Sequence, residues 1–503
     1  MTTLSPSLAR PFPLRPHPHL YEINTWVWLE KLSTRAGRLF RLADVLDAEW
    51  DAIARRGFDI VWLMGVWRHS DEARRIELAD PANKPLFDKV LPGWTADDVI
   101  GSPYSITQYA PDPRIGTWDS LDRVREKLRA RGIALFLDFV GNHTALDHPW
   151  TREHPEYYVQ GTQDDLQRDP ASFRRIETPK GPVILALGKD PYFPAWDDVA
   201  QLNHFSSQMR AALLGELRTI AAHCDGVRCD MAMLQFNDIF ERVWNHRLRD
   251  ANPPETEFWA DAHAAVPALI LLAEAYWGTE QRLLDLGFSF VYDKGLYDAV
   301  RYQNFQEVHA RLSEGAGYQR HLARFLENHD EDCCATAFGP ERLESVGTLM
   351  GTLPGMRFYQ EGEIDGSKTH LPIALRRIAA EPPNPASAAF FEKILKITGG
   401  DVFHAGRWSV LPVNAEGDGT SSHLVVYEWR SEKSWKIVSV NLAGGASQGR
   451  VQFGDRPLPA REYVFLDELH DVRYVRSADE LRAPGLFVRR EGYEAHLFDV
   501  TPV

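Results

Sequence analysis

Four short segments of the sequence place charged or imidazole side chains at the end of an apolar run. They are LFLDFVGNH (135–143), DGVRCD (225–230), LLAEAYWG (271–278) and FLENHDE (325–331). A charged group beside a buried run is costly unless it is paired or has a function. A structural salt bridge explains one such segment but not four, so we interpret the four segments as parts of one site.

Cleavage of a glycosidic bond would use these residue types. It requires two carboxyl groups beside the anomeric carbon, one ionised and one protonated. Asp230 and Glu274 are predicted on neighbouring strands, which lie about 4.8 Å apart, so their carboxyl groups can reach the roughly 5–5.5 Å of a retaining pair. Arg228 shares the strand face of Asp230 and is expected to keep it ionised. Tyr276 and Trp277 are expected to raise the pKa of Glu274, so that it can donate a proton.

Three further side chains fit the same chemistry. Asp330 supplies a carboxylate suited to a cationic transition state, and His143 and His329 can hydrogen-bond sugar hydroxyls. Each has a structural alternative, because carboxylates also form plain ion pairs with Arg228 or His329, and histidines are often satisfied core residues.

The elements that must position these residues follow a β/α rhythm. Short apolar strands alternate with amphipathic helices about eight times, which predicts a (β/α)8 TIM barrel. The predicted strands are Tyr21–Trp28, Asp59–Met64, Ile133–Asp138, Gly226–Asp230, Leu269–Glu274, Phe288–Tyr292, His321–Glu327 and Met356–Gln360. The clearest predicted helices are Leu42–Arg56, Leu121–Arg131, Ser207–Ala222 and Phe236–Arg249.

Two long segments interrupt the alternation of strands and helices. Near residue 400 the sequence pattern changes to one typical of strands. The stretch Trp67–Ser105 follows the second strand, and Thr144–His204 follows the third and is predicted to form a subdomain. Long loops after barrel strands build active sites. After Gly399-Gly400, segments such as HLVVYEW alternate apolar and polar residues, which predicts antiparallel strands. We therefore predict a catalytic barrel over 1–401 with the insertion 144–204, and a C-terminal β-sandwich domain over 402–503.

The four segments together, in this order, resemble the conserved regions of glycoside hydrolase family 13, the α-amylase superfamily. The resemblance implies Asp230 as nucleophile, Glu274 as general acid/base and Asp330 as transition-state stabiliser. It also implies that the sugar in the cleaved subsite is surrounded by Asp138, His143, Arg228 and His329. Tyr104, in PYSITQYAPDPRIGT, matches the family's aromatic platform beneath that sugar, and WDDVAQLN (196–203) is similar to a short motif before the third helix.

The sequence departs from the endo-acting α-amylases in two places. Those enzymes typically carry Lys-His three and four residues after the nucleophile, where this chain has Met233 and Leu234. The stretch AQLN also lacks the acidic residue that many members carry there. The run DFVGNHTALDHPW instead resembles α-glucosidase-like and transferase-like members. Asn142 can be a calcium ligand in family members, but calcium needs six to eight oxygen ligands and no others are recognisable, so we predict no cofactor, with calcium as the alternative.

The composition excludes some classes of binding partner and indicates a cellular compartment. The net charge of −15 argues against nucleic acid and anionic membranes and is compatible with a neutral carbohydrate substrate. The four cysteines include no C-x-x-C pair, and adjacent Cys333 and Cys334 would pair only with strain. We expect a soluble, reduced, cytoplasmic protein without a signal peptide, since the first twenty residues have no apolar core and no transmembrane run follows. The sequence does not indicate an oligomeric state.

Three functions remain open. The leading hypothesis is a retaining hydrolase of α-glucosidic bonds in oligosaccharides or glucosides. The second is a transglycosidase or isomerase of the glucan, sucrose or trehalose type, which shares the first half-reaction and differs only in the acceptor. The third, a catalytically silent carbohydrate-binding or partner protein, is disfavoured because Asp230, Glu274 and Asp330 are all retained.

Overall fold

The computed structural model describes residues 11–248 and 252–503. Its first half alternates strands with helices and includes the two long excursions. The elements are β1 His19–Asn24, α1 Thr25–Ala36, α2 Asp47–Arg55, β2 Ile60–Met64, β3 Trp67–His69, α3 Asp71–Ala79, α4 Asn83–Val90, β4 Ile106–Pro111, α5 Trp118–Arg129, β5 Ala134–Val140, β6 His143–Ala145, α6 Pro149–Glu153, α7 Gln163–Arg168, β7 Phe173–Ile176, β8 Val183–Ala186, β9 Val199–Gln201, α8 Ser207–His223, β10 Gly226–Asp230 and α9 Asn237–Trp244.

The second half completes the β/α alternation and then becomes almost entirely strands. The elements are α10 Phe258–Ala265, β11 Ile270–Ala273, α11 Glu280–Asp285, β12 Phe290–Tyr292, α12 Lys294–Arg301, α13 Phe305–Leu312, α14 Ala316–Gln319, β13 Leu322–Arg324, α15 Cys334–Ala337, α16 Leu343–Thr352, β14 Met356–Gln360, α17 Pro385–Thr398, α18 Val402–Ala405, β15 Arg407–Val410, β16 Val413–Ala415, β17 Leu424–Arg430, β18 Trp435–Asn441, β19 Ser447–Val451, β20 Glu462–Asp467, β21 Val472–Ser477, α19 Ala478–Arg482, β22 Leu486–Arg490 and β23 Ala495–Pro502. Single 3-10 turns lie at Leu42–Asp44, Ala96–Asp98, Pro155–Tyr157, Ala232–Gln235, Asn245–Arg247 and Thr420–His423.

Eight strands close into a parallel barrel, which confirms the predicted fold class. Around the barrel the order is β1-β14-β13-β12-β11-β10-β5-β2, and all eight overlap the predicted strands. Strand β5 is buried at every position, as expected of a parallel strand packed on both faces. Gly226 opens β10 because no side chain fits there: a Cβ would lie 2.4 Å from the Phe136 ring and 2.8 Å from the carbonyl oxygen of Ile270.

The structure corrects the ends of several predicted elements. The predicted strand Tyr21–Trp28 ends at Asn24, whose side chain accepts a hydrogen bond from the Val27 N–H (3.3 Å) and so begins helix α1. The predicted helix Phe236–Arg249 ends as an α-helix at Trp244 and continues as a 3-10 turn; Arg249 lies outside the described residues. In the predicted helix Leu42–Arg56, the first turn is a separate 3-10 turn.

The two insertions contain small antiparallel pairs. In the first, which also contains helices α3 and α4, β3 pairs with β4, the strand that directly follows the insertion. In the second, β6 pairs with β9, and β7 pairs with β8. The second insertion therefore leaves the barrel after β5 and returns through β9 to helix α8.

The C-terminal strands form two antiparallel sheets. One has the order β15-β17-β18-β23-β20-β21 and the other β16-β19-β22. Apolar side chains of both sheets, such as Val426 and Val488, share one core, while Tyr427 and Trp429 belong to the core of the barrel. The domain limits 1–401 and 402–503 remain predictions. Among the described residues, no helix has both the length and the apolarity needed to cross a membrane.

Candidate active site

The predicted carboxylates meet at the carboxyl ends of neighbouring barrel strands. Asp230 is the last residue of β10, and Glu274 directly follows β11, the strand paired with β10. The pairing continues past the strand ends, because the Glu274 N–H donates to the carbonyl oxygen of Cys229 at 3.1 Å. Asp330 lies in the loop after β13, where Asn328 Oδ1 accepts from the backbone N–H groups of Asp330 and Glu331, both at 2.9 Å. Backbone pairing and a local turn thus bring three carboxyl groups to one rim.

Arg228 connects the three carboxylates. Its Nη1 donates to Asp230 Oδ1 at 2.6 Å, and its Nη2 lies 2.8 Å from Glu274 Oε2 and 3.8 Å from Asp330 Oδ2. The guanidinium is buried, and its centre lies 5.2 Å from the ring centre of Tyr104 and 5.8 Å from that of Tyr292. Arg228 and Asp230 therefore share a strand face, as predicted.

Glu274 is surrounded by donors as well as by apolar groups. Its Oε2 accepts from the Met231 N–H at 2.6 Å, and its Oε1 accepts from the Tyr276 hydroxyl at 2.7 Å. Met231 has a φ of 41°, a left-handed conformation that is strained for a side chain of this size. Trp277, expected as an apolar neighbour, is instead 39% exposed, with its ring centre 5.0 Å from that of Tyr192.

The pKa values of the three carboxyl groups are not all shifted in the same direction. Burial raises the pKa of Glu274 to about 7; the carboxylates of Asp230 and Asp330 add to the rise and Arg228 opposes it. Burial also raises the pKa of Asp230, and Arg228, which was expected to keep this carboxylate ionised, opposes the rise. For Asp330, burial acts upward but the His329 imidazole and Arg228 outweigh it and lower the pKa to about 2.

His329 is held between two carboxylates. Its Nδ1 lies 2.6 Å from Glu22 Oε1, and its Nε2 lies 3.1 Å from Asp330 Oδ2 and 2.7 Å from the Tyr104 hydroxyl. The rings of Tyr104 and His329 stack with centres 5.2 Å apart. Burial would lower the pKa of His329, but Asp330 and Glu22 raise it well above its usual value. This imidazole is therefore a buried cation.

Asp138 and His143 lie at the same rim with different surroundings. Both carboxylate oxygens of Asp138 are engaged, one by the Trp62 indole N–H at 3.1 Å and the other by the Gly65 N–H at 2.8 Å. Burial raises the pKa of Asp138 to about 6. His143 packs against Trp196 with ring centres 5.3 Å apart, and burial lowers its pKa to about 4. Both carboxylate oxygens of Asp138 therefore accept hydrogen bonds from other groups of the protein, and His143 is neutral.

Asn142 does not offer the surroundings that calcium requires. Its Oδ1 accepts from Gln201 Nε2 at 3.0 Å, and its Nδ2 lies 3.3 Å from Gln201 Oε1. Gln201 belongs to AQLN, the stretch that lacks an acidic residue, and its amide is hydrogen-bonded to the Asn142 side chain that would have to ligate an ion. Calcium prefers carboxylate and carbonyl oxygens in larger number, and the residues here do not fit it.

The structure adds residues that the sequence analysis did not single out. Glu22 is fully buried in β1, and a carboxylate inside the apolar run HLYEIN was a signal of the same kind as the four segments. Tyr292 Oη accepts a long contact, 3.4 Å, from Arg228 Nε. Met233 and Leu234, the departures from the endo-amylase pattern, are both buried in a 3-10 turn.

Comparison with known proteins identifies one family and several relatives. The model of the family "Alpha amylase, catalytic domain" matches residues 51–381. Alpha-amylase 3 of Dictyoglomus thermophilum is 24% identical over 300 residues, 53% of this chain and 54% of that protein. The 1,4-alpha-glucan branching enzyme GlgB of Albidiferax ferrireducens is 26% identical over 325 residues, 59% of this chain and 47% of that protein. The chain therefore spans about half the length of the curated relatives it matches.

Solved structures share the whole architecture. The maltogenic alpha-amylase AmyB of Thermotoga neapolitana has a TM-score of 0.69 at 17% identity, covering 97% of this chain and 99% of that one. At this identity the likeness establishes the fold alone.

Proposed function

The chain belongs to the α-amylase family, and from that premise we propose that it cleaves α-glucosidic bonds of oligosaccharides or glucosides with retention of configuration. The observation that carries the proposal is Arg228, whose two terminal nitrogens bind Asp230 and Glu274 at 2.6 and 2.8 Å. One guanidinium holding both carboxyl groups supports the short separation, about 5–5.5 Å, of a retaining pair.

The roles follow from the surroundings of each carboxyl group. Asp230, paired with Arg228, attacks the anomeric carbon and forms a covalent glycosyl-enzyme. Glu274, with a pKa raised to about 7 by burial and nearby carboxylates, protonates the leaving oxygen and then activates water. Asp330, whose pKa His329 helps to lower to about 2, remains anionic opposite the positively charged transition state. The substrate is a neutral carbohydrate, which binds against Tyr104, His143 and His329.

Transfer to a sugar acceptor, or isomerisation, is the second candidate. Trp277 and Tyr192 are exposed aromatic side chains in contact, and Trp277 lies three residues after Glu274. Aromatic faces stack on sugar rings, so this pair supports an acceptor site on the acid/base side. The same covalent intermediate serves both outcomes. A silent carbohydrate-binding protein would not need carboxyl groups with such different pKa values.

The test is a panel of α-glucosides: p-nitrophenyl α-glucoside, maltose, maltooligosaccharides, sucrose, trehalose and starch. Asp230→Asn is expected to lose about a thousandfold or more of kcat, and Glu274→Gln about 10²–10⁴-fold on unactivated substrates. The matched control is Asp238→Asn. Asp238 is an exposed carboxylate on helix α9 that pairs with Arg282. Products longer than the substrate would favour transfer. Equal rates for the wild type and Asp230→Asn would contradict the proposed mechanism.

We also propose that the protein works in a reducing compartment, the cytoplasm. Cys224, Cys229, Cys333 and Cys334 are all buried free thiols, and burial raises the pKa of Cys334 well above its usual value. Such thiols react slowly and serve as packing groups. Fractionation of the native host, with the protein followed by antibody, would test this placement.

A further inference from the structure

Away from the cleft, three side chains of the C-terminal sheets converge on one point. Asp467 is the last residue of β20, His470 lies in the turn that follows, and His496 lies in β23, the strand paired with β20. His470 Nδ1 is 2.8 Å and His496 Nδ1 is 2.5 Å from Asp467 Oδ2. The donor atoms of the three residues lie within 4.8 Å of one another, and the two imidazole planes are inclined at 85°.

We propose that Asp467, His470 and His496 bind a divalent transition-metal ion, of which Zn²⁺ fits best. Two imidazole nitrogens and one carboxylate oxygen are ligands typical of zinc. Metal–ligand distances of about 2.0–2.2 Å in a tetrahedral site place the donor atoms roughly 3.4 Å apart. The nitrogens of His470 and His496 lie 2.8 and 2.5 Å from Asp467 Oδ2, so each must move away from that oxygen by less than about 1 Å to admit the ion. His470 can move, because its side chain is 38% exposed in a turn, and its open side leaves a position for water.

The groups behind the three side chains orient them toward one point. Glu344 Oε2 lies 3.3 Å from His470 Nε2. When Nε2 carries the proton and donates it to Glu344, the lone pair of Nδ1 faces Asp467. Asp467 Oδ1 accepts from the Leu469 N–H at 3.1 Å and the Leu497 N–H at 3.3 Å, which leaves Oδ2 toward the histidines. Carboxylates behind a ligating histidine and donors behind a ligating carboxylate are the usual outer contacts of metal sites.

The position of the cluster indicates a structural role for the ion. Glu344 belongs to helix α16 of the barrel and also accepts from the Ala495 N–H of β23 at 2.7 Å. A metal held by His470 and His496 would therefore stabilise the junction between the barrel and the C-terminal sheets. An ion that binds only the folded chain raises its stability in proportion to its saturation.

The experiment uses the full-length protein without an affinity tag, stripped with EDTA and dialysed. Titration with Zn²⁺ against a chromophoric chelator, at constant pH, should show about one ion bound tightly per chain, and Tm should rise by several degrees. His470→Ala, in an exposed turn, should fold and lose both the tight binding and the rise in Tm. The matched control is His223→Ala, a histidine paired with Asp122 on the outside of the barrel, which should respond as the wild type does.

A second variant, His496→Gln, keeps a polar side chain in β23 and should also lose the bound ion. The competing explanation is that the three residues form only a hydrogen-bonded group, with both imidazoles donating to Asp467. In that case the wild type and His470→Ala would take up the same amount of Zn²⁺, and Tm would not respond to the ion. Either result would overturn the proposal. Catalytic activity is not part of the readout, so the outcome is independent of the proposed function.

Discussion

Glu274 sets the pH dependence expected of the reaction. Burial and the neighbouring carboxylates raise its pKa to about 7, and a general acid must be protonated before it acts. We therefore expect kcat/KM to fall as the pH rises through about 7, the apparent value belonging to the coupled group of carboxyls. With p-nitrophenyl α-glucoside, whose leaving group needs little protonation, Glu274→Gln should lose this alkaline limb. A limb that persists unchanged in the variant would assign it to another residue.

Glu22 is expected to act on the reaction through His329. Its carboxylate lies 2.6 Å from His329 Nδ1 in a fully buried pair, and it helps to raise the pKa of that imidazole. Glu22→Gln keeps the shape and removes the charge. Hydrogen bonds to charged groups contribute about 1.5–3 kcal/mol, so kcat should fall roughly 10- to 100-fold and the pKa of His329 should fall.

The measurement is the pH profile of kcat together with the NMR titration of the His329 ring. Glu392→Gln, an exposed carboxylate on helix α17, is the control and should change neither quantity. The raised pKa of His329 also makes the stability of the fold depend on pH. A histidine with a raised pKa stabilises the fold most below its unfolded value of about 6.5 and loses that contribution as the pH rises through the folded value. A variant with an unchanged His329 titration would show that Glu22 is only a packing residue.

At the scale of elements, the loop after β11 is predicted to control the acceptor. Trp277 is exposed, and its ring meets that of Tyr192 from the insertion that follows β5. Trp277→Ala should raise KM for maltooligosaccharides about tenfold, because loss of an aromatic contact costs on the order of 1 kcal/mol or more. KM for p-nitrophenyl α-glucoside should change less, since its aglycone is short.

Tyr302→Ala is the control for this prediction. Tyr302 is 72% exposed and follows helix α12, outside the insertion in the sequence. Comparing KM and the ratio of transfer to hydrolysis for the two variants separates an acceptor site from a general surface effect. Equal effects of the two substitutions would remove the aromatic pair from the proposed acceptor site.

Much of the element pattern could be predicted from the sequence, and the reason is physical. Strands such as β2 and β5 are buried at every position, so they read as unbroken apolar runs whatever surrounds them. The end of β1 could not be predicted from hydrophobicity, because Asn24 starts helix α1 by capping while the apolar residues continue. Asp230, Glu274 and Asp330 could be predicted as neighbours because strand order alone brings them to one rim.

Contacts between distant parts of the chain were not predictable in this way. Glu22 meets His329 across 307 positions, and His470 meets Glu344 across 126. A single sequence carries no sign of such pairs beyond a polar residue in an apolar strand. The same holds for the pKa of Asp230, because the adjacency of Arg228 is visible in the sequence whereas the burial that raises this pKa is not.

At the scale of the whole molecule, part of the C-terminal sheets packs into the core of the barrel, beside the separate core that the sheets share with each other. Tyr427 and Trp429 of β17 are fully buried with the barrel residues, and the Trp429 indole N–H donates to the carbonyl oxygen of Thr352 in α16 at 2.7 Å. Apolar surface of this kind couples two units when they unfold. We therefore expect one cooperative transition for the full chain rather than two.

Trp429→Ala tests this coupling. Removing a buried tryptophan leaves a cavity and an unpaired carbonyl, which should lower the free energy of unfolding by about 3–5 kcal/mol. Urea unfolding followed by tryptophan fluorescence and by far-ultraviolet circular dichroism measures the change, and Trp277→Ala, at a 39% exposed position, is the control with a much smaller effect. Because fluorescence reports on the surroundings of the tryptophans and circular dichroism on secondary structure, coincident curves indicate one unit. Two separate transitions in the wild type, with Trp429→Ala shifting only one of them, would show that the C-terminal sheets unfold independently of the barrel.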